Sequence, residues 1–321
     1  PAMRMNDAAS SVLVAIGRPA LAPLLELLKG KNKAANTIAE QYIAAIRERD
    51  PNAAAAMDAG AIVGYEATFT LGKLGYREAM DALLAETKVK HEGRRNAAAI
   101  ALVSLNRSEA DTAKVVEAIK RCFAAAEKIS RPQLLVALQH MYSQRAMPFL
   151  LQNAKRDERE LPDIRVLAYA GYAMLANKAE TSSLKAIVNK EKRVGGFREA
   201  FQRYDAALDA ARTCDTDLGC WAGKLGDKDK LVVRKAANML ARYGRGNDQA
   251  VTALVERLGH RNLEVRYAVL NALDFVAVRG SEAAIAKIDE LRRREEGRSI
   301  WNNFKREALP TRHRLAARAQ G

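Results

Sequence analysis

Residues 232–276 read VVRKAANMLARYGRGNDQAVTALVERLGHRNLEVRYAVLNALDFV, one helical phrase begun twice. Val233-Arg234 opens an alanine-rich apolar run that stops at Gly244, and Val265-Arg266 opens another, the two arginines 32 positions apart. Between them Gly246-Asn247-Asp248 makes a turn, and QAVTALVERLGH puts Leu254, Val255 and Leu258 on one helical face. The phrase is helix, short turn, helix. Moving outward, Arg95 and Arg165 open the similar runs RRNAAAIALVSL and IRVLAYAGYAML. They stand 70 residues apart, and 69 more lead to Arg234, so each interval is about twice one period. A unit of roughly 30 to 37 residues repeating along a chain predicts a helical solenoid. In such an array no helix pair buries its apolar face alone, and each rests on its neighbours.

Other segments keep the same beat. GYEATFTLGKLG precedes YREAMDALLAET, NAAAIALVSLN precedes EADTAKVVEAIKRC, and SVLVAIG leads into RPALAPLLELLKG, with Pro19 near the start of a second helix. Ser281 is a natural N-cap for SEAAIAKIDELRRREE. Hydrophobic residues make up 49 % of the 321-residue chain and aromatics only 6 %. Alanine carries much of the difference; it favours helix and lets helices approach closely. No stretch alternates apolar and polar residues as a half-buried strand would. The predicted class is all-α, a single array over 1–321 of eight or nine helix pairs. Within it, 190–228 is a divergent repeat, and 297–321 is a capping helix with Trp301 and Phe304 followed by a basic tail.

VAIGRPALAPLLELL, VVRKAANMLARYG and EVRYAVLNALDFV, the last two preceded by Asp229 and Asn262, resemble the HEAT-repeat family over most of the chain, most weakly between Lys190 and Asp227. The resemblance implies a right-handed α-solenoid whose second helices line a concave binding surface. It also implies an Asp–Arg ladder between neighbouring repeats. Arg234 and Arg266 match the arginine of that ladder and Asp229 the acid, while Asn262 departs from it and weakens its rung. These motifs specify architecture rather than activity.

Two of the three cysteines, Cys214 and Cys220, lie six positions apart in CDTDLGCWAGKLGD. On one continuous helix they would be separated by about 9 Å of rise and face different ways, whereas a disulfide needs Cα atoms within roughly 7 Å. A bridge therefore requires the chain to reverse through DTDLG, after a first helix GGFREAFQRYDAALDAART and before a short second helix capped by Thr216 or Asp217. The expectation is a disulfide staple with Trp221 packed beneath the turn. Two unpaired structural thiols stand second, and metal or redox chemistry third, because His140 and His260 are remote and a redox dithiol more often reads C-x-x-C. A staple favours an oxidising compartment such as the periplasm or the cell exterior; the unpaired alternative leaves the cytoplasm open. Cys122, on a face with Ile119 and Phe123, is expected to be a buried hydrophobe.

Candidate chemistry is sparse. His91-Glu92 resembles a single His–Glu pair of the HEAT-like iron hydroxylases, which need several pairs converging on two metals; a loop histidine beside an N-cap glutamate is the expected reading. Asp157, Glu158 and Glu160 read as solvated loop charges, and no glycine-rich phosphate loop is present. The expectation is a chain without catalytic residues, metal or cofactor. No apolar run reaches the roughly 18 residues of a membrane span, and PAMRMNDAASS is already polar, although the chain opens on Pro1 and a preceding leader stays open.

The net charge of +15 and pI near 9.8 admit an acidic partner: a protein, a nucleic acid or an anionic membrane surface. Cations gather at the ends of second helices: Lys29, Lys120 and Arg121, Lys155 and Arg156, Lys190 and Lys192, Arg257, and Arg292, Arg293 and Arg294. Cations there oppose the helix dipole, and equivalent ends in a solenoid form a strip along one edge. An acidic protein, in a scaffold or complex, is the preferred occupant. Nucleic acid comes second: HEAT-like DNA glycosylases cradle DNA on such a surface, but they add aromatic platforms that this composition lacks.

Overall fold

A computed structural model describes residues 2–30, 32–55, 57–106, 108–155, 162–190, 197–294 and 303–319. Among them every regular element is helical and no strand occurs. The all-α expectation holds, and the helices fall into stacked pairs within two compact units, Pro1–Ala126 and Glu127–Gly321.

The first unit contains α1 (Ala2–Ile16), α2 (Leu21–Leu28), α3 (Lys33–Arg47), α4 (Pro51–Ala55), α5 (Ala59–Leu74), α6 (Met80–Glu86), α7 (Glu92–Ala101) and α8 (Glu109–Ala125). Pro19 occupies a 3-10 turn, Arg18–Ala20, that leads into α2. Helices start where the capping chemistry dictates: Asn32, Asp58 and Ser108 accept the N–H of Ala35, Ala61 and Asp111. At α7 the expectation is corrected. His91, not Glu92, is the cap, its Nδ1 accepting the Arg94 N–H at 3.3 Å. Helices α5 and α7 pack side by side. Gly72 permits that approach, since a Cβ there would lie 2.8 Å from the Ala101 Cα.

The second unit contains α9 (Arg131–Gln139), α10 (Met147–Ala154), α11 (Pro162–Leu175), α12 (Thr181–Lys190), α13 (Phe197–Gln202), α14 (Asp205–Cys214), α15 (Leu218–Lys224), α16 (Lys230–Tyr243), α17 (Asp248–Arg257), α18 (Leu263–Val276), α19 (Glu282–Arg294) and α20 (Asn303–Ala319). First helices α11, α16 and α18 form one layer; second helices α15, α17 and α19 form the other. Their inward faces supply the core, with Val233, Ala236, Leu240, Leu254, Val269, Leu273 and Ile288 all buried.

The divergent repeat differs from its reading as one first helix. The chain breaks at Arg203-Tyr204 into α13 and α14. Aromatic packing flanks the break: Phe201 stacks on the buried Tyr169 with centroids 4.1 Å apart, and Tyr204 meets the same ring at 6.1 Å. At the other end, the arginines assigned to a basic tail belong to α20, which packs on α18 and α19 with Phe304 and Leu315 buried. Trp301, Asp157, Glu158, Glu160 and Lys192 lie outside the described residues.

Candidate interaction surface

The turn between α14 and α15 settles the cysteine question. Asp215, at φ 48°, reverses the chain after α14 and brings the Cα atoms of Cys214 and Cys220 to 5.3 Å, where the two sulfurs are bonded. Asp217 rather than Thr216 caps α15, accepting the Cys220 N–H at 2.7 Å. Trp221 is fully buried and donates its Nε1–H to the Asp215 carbonyl at 2.8 Å. Cys122 is buried as well, and desolvation pushes its thiol pKa up, so it stays protonated.

Lys235 is buried beside Trp221. It donates to the Ala173 and Ala176 carbonyls at 2.6 and 2.7 Å, closing the C-terminus of α11, and its Nζ lies 5.8 Å from the Trp221 ring centroid. Desolvation lowers its pKa to about 7. Arg242 adds a hydrogen bond to the Leu175 carbonyl and a buried ion pair with Glu180 at 2.7 Å. The same device recurs. Arg94 reaches the Leu28 carbonyl and Glu86, Arg95 the Ala125 carbonyl, Arg165 the Lys155 carbonyl, Arg257 the Leu225 carbonyl, and Arg318 the Ala277 carbonyl. A helix ends with unsatisfied carbonyls and a partial negative charge, and here a cation from another helix answers both. Much of the positive charge therefore works inside the fold.

The residues assigned to the ladder take individual places. Asp229 caps α16 through the Leu231 N–H at 2.7 Å. Arg234 pairs with Glu264 of the next first helix at 3.3 Å, an acid that Lys230 shares. Arg266 stacks over Phe304 at 4.4 Å. Asn262 caps α18 through the Val265 N–H.

What remains outward forms an edge at the C-terminal ends of α15, α17 and α19. Two successive loops share one plan. In Asp227-Lys228-Asp229, Asp227 accepts the N–H of the cap Asp229 at 3.0 Å; in His260-Arg261-Asn262, the His260 Nδ1 accepts the N–H of the cap Asn262 at 3.0 Å. That backbone bond holds the Asp227 carboxyl below its usual range, and desolvation lowers His260. In each loop the residue between acceptor and cap is an exposed cation, Lys228 or Arg261. Neighbouring ends touch: the Arg257 guanidinium lies over Gly226, and Gly259 lies against Leu291 and Lys287. Arg293 and Arg294 continue the edge, both exposed, with Arg294 paired to Glu290. Arg292 turns to Asp289, which Arg312 also holds. In the first unit Lys120 pairs with Glu117 at 2.8 Å while Arg121 is exposed; Lys155 is exposed in the second, and Arg156 lies outside the described residues. The sequence reading missed Lys228 and Arg261, whose position between acceptor and cap was the available signal.

Among the described residues no cluster of three or more histidine, cysteine or acidic side chains could hold a metal ion, and no single helix is long and apolar enough to cross a membrane.

This stack of helix pairs defines a class. Residues 223–300, the span from the end of α15 past α19, match the family described as HEAT repeats, so the chain carries HEAT repeats there; such repeats generally serve as protein-interaction scaffolds. Two crystal structures of engineered proteins are similar across much of this chain. One is 16 % identical with a TM-score of 0.33, covering 97 % of this chain and 95 % of its own. The other is 17 % identical with a TM-score of 0.28, covering 74 % and 97 %. No curated protein matches the chain.

Proposed function

We propose that this protein is a non-catalytic scaffold that holds an acidic protein partner along the basic edge of its HEAT repeats, as a subunit of a larger assembly. The observation that carries this reading is the repeated loop plan. Two consecutive repeats spend a capping residue and an acceptor to present one cation each, Lys228 and Arg261. The Cys214–Cys220 bridge supports an oxidising compartment such as the periplasm or the cell exterior.

The test is a triple charge reversal, Lys228→Glu with Arg261→Glu and Arg293→Glu, at exposed positions where folding should be unaffected. Native complexes captured on the wild-type chain and on the variant are compared by mass spectrometry. The same partner lost from the variant supports the reading; equal capture removes the edge from it. A gel shift with duplex DNA provides the contrary arm, because tight binding that collapses steeply as salt rises would install nucleic acid as the partner.

A further inference from the structure

The Cys214–Cys220 bridge stands close to the buried amine of Lys235, and Trp221 connects the two. Trp221 follows Cys220 in sequence, is fully buried, and holds its ring centroid 5.8 Å from the Lys235 Nζ. Its Nε1–H bonds the carbonyl of Asp215, the residue that follows Cys214. Asp215 has a positive φ of 48°, a backbone state that a non-glycine residue keeps only where its surroundings hold it there. Three ties do so: the bridge, the Trp221 N–H on its carbonyl, and the Lys178 N–H on its carboxylate at 3.1 Å. The helix that carries Trp221, α15, is seven residues long, too short to persist by helix formation alone. Cys214 is buried whereas Cys220 is half-buried, so a thiolate reaches the bridge from the Cys220 side.

We propose that the bridge is a redox latch: a dithiol that opens it frees Asp215 and α15, draws Trp221 off Lys235, and uncovers the lysine amine to water. One thiolate of the dithiol attacks the Cys220 sulfur, the S–S bond breaks, and Cys214 leaves as a thiolate. The second thiolate then attacks the mixed disulfide, closes the dithiol into its own disulfide, and releases Cys220. Two electrons pass to the bridge, and the two protons of the dithiol end on Cys214 and Cys220. Uncovering adds a third proton, drawn from solvent. Desolvation holds the Lys235 pKa at about 7; of the charged groups that act on it, Arg242 lowers it further and Glu180 raises it. In water the amine returns toward its ordinary 10.5 and is protonated. Above pH 7 the open latch therefore binds a proton that the closed one has released, so rising pH favours the closed form. An oxidising compartment keeps the latch shut. This device stands apart from the scaffold reading.

The experiment uses the full chain, dithiothreitol as the dithiol, and an acetylating succinimidyl ester whose products are mapped by peptide mass spectrometry. In the oxidised chain Lys235 should stay unmodified while the exposed Lys228 reacts. In the reduced chain Lys235 should react within about tenfold of the Lys228 rate, with the helical circular dichroism signal largely kept. That combination separates a local opening from unfolding. The second arm titrates the chain with reduced and oxidised dithiothreitol. The equilibrium constant for reduction, wild type relative to Lys235→Met, should fall about fivefold from about pH 7 to about pH 8. Continued protection of Lys235 after reduction overturns the inference, as does a ratio that does not move with pH. Loss of most of the helix signal overturns it too, since the bridge would then staple the whole fold rather than latch one helix. The labelling arm needs no substitution, so it decides the matter even where Lys235→Met fails to fold.

Discussion

Lys235 shows what one side chain decides. Its pKa of about 7 lies below the 10.5 of an ordinary lysine because burial disfavours the charged form. Between those values the unfolded chain binds a proton that the folded chain has released. Stability therefore rises for this group as pH climbs from about 7 toward 10 and is flat below that window. Urea denaturation of wild type and Lys235→Met should give a stability difference that moves in the wild type's favour from about pH 7 to about pH 10; parallel pH profiles contradict the assignment. Gly72 decides by omission. Gly72→Ala should cost about 1–3 kcal/mol, since a methyl group there meets the Ala101 backbone and α5 must move off α7. A neutral result by thermal melt would show the two helices separating freely.

At the scale of elements, the Cys214–Cys220 bridge closes a short loop and joins α14 to α15. Reducing it, or replacing both cysteines by serine, should lower stability by roughly 2–3 kcal/mol. Melts with and without dithiothreitol measure this, and a reductant-independent midpoint would mean the staple carries no load. Here the limits of sequence reading are plain. The period of the arginines, the reversal through DTDLG and the Ser281 cap of α19 were all legible because each depends on residues close in sequence. The packing of Phe201 and Tyr204 on Tyr169 was not, since that ring belongs to another helix. Nor were the clamps of Arg242 on Leu175 or Arg318 on Ala277, because a backbone carbonyl has no letter in the sequence.

For the whole molecule, the count of 53 lysines and arginines overstates how many cations a partner meets. Arg94, Arg165, Arg242, Arg257, Arg312, Arg314 and Arg318 all bond within the fold. Substituting one of them should cost stability, whereas reversing Lys228, Arg261 and Arg293 should cost association and leave the melting midpoint within a degree or two. Paired melts and capture experiments separate the two groups; a large loss of stability in the triple variant would place those residues among the internal clamps.

Most of these clamps point backwards along the chain: Lys235 and Arg242 finish α11, Arg257 finishes α15, and Arg318 finishes α18. Each rod is left with a ragged end until a later stretch is synthesised to plug it. A nascent chain halted on the ribosome after α15 would still lack the plugs for both α11 and α15, so completion proceeds one to two repeats behind translation, and only α20 locks the last joint.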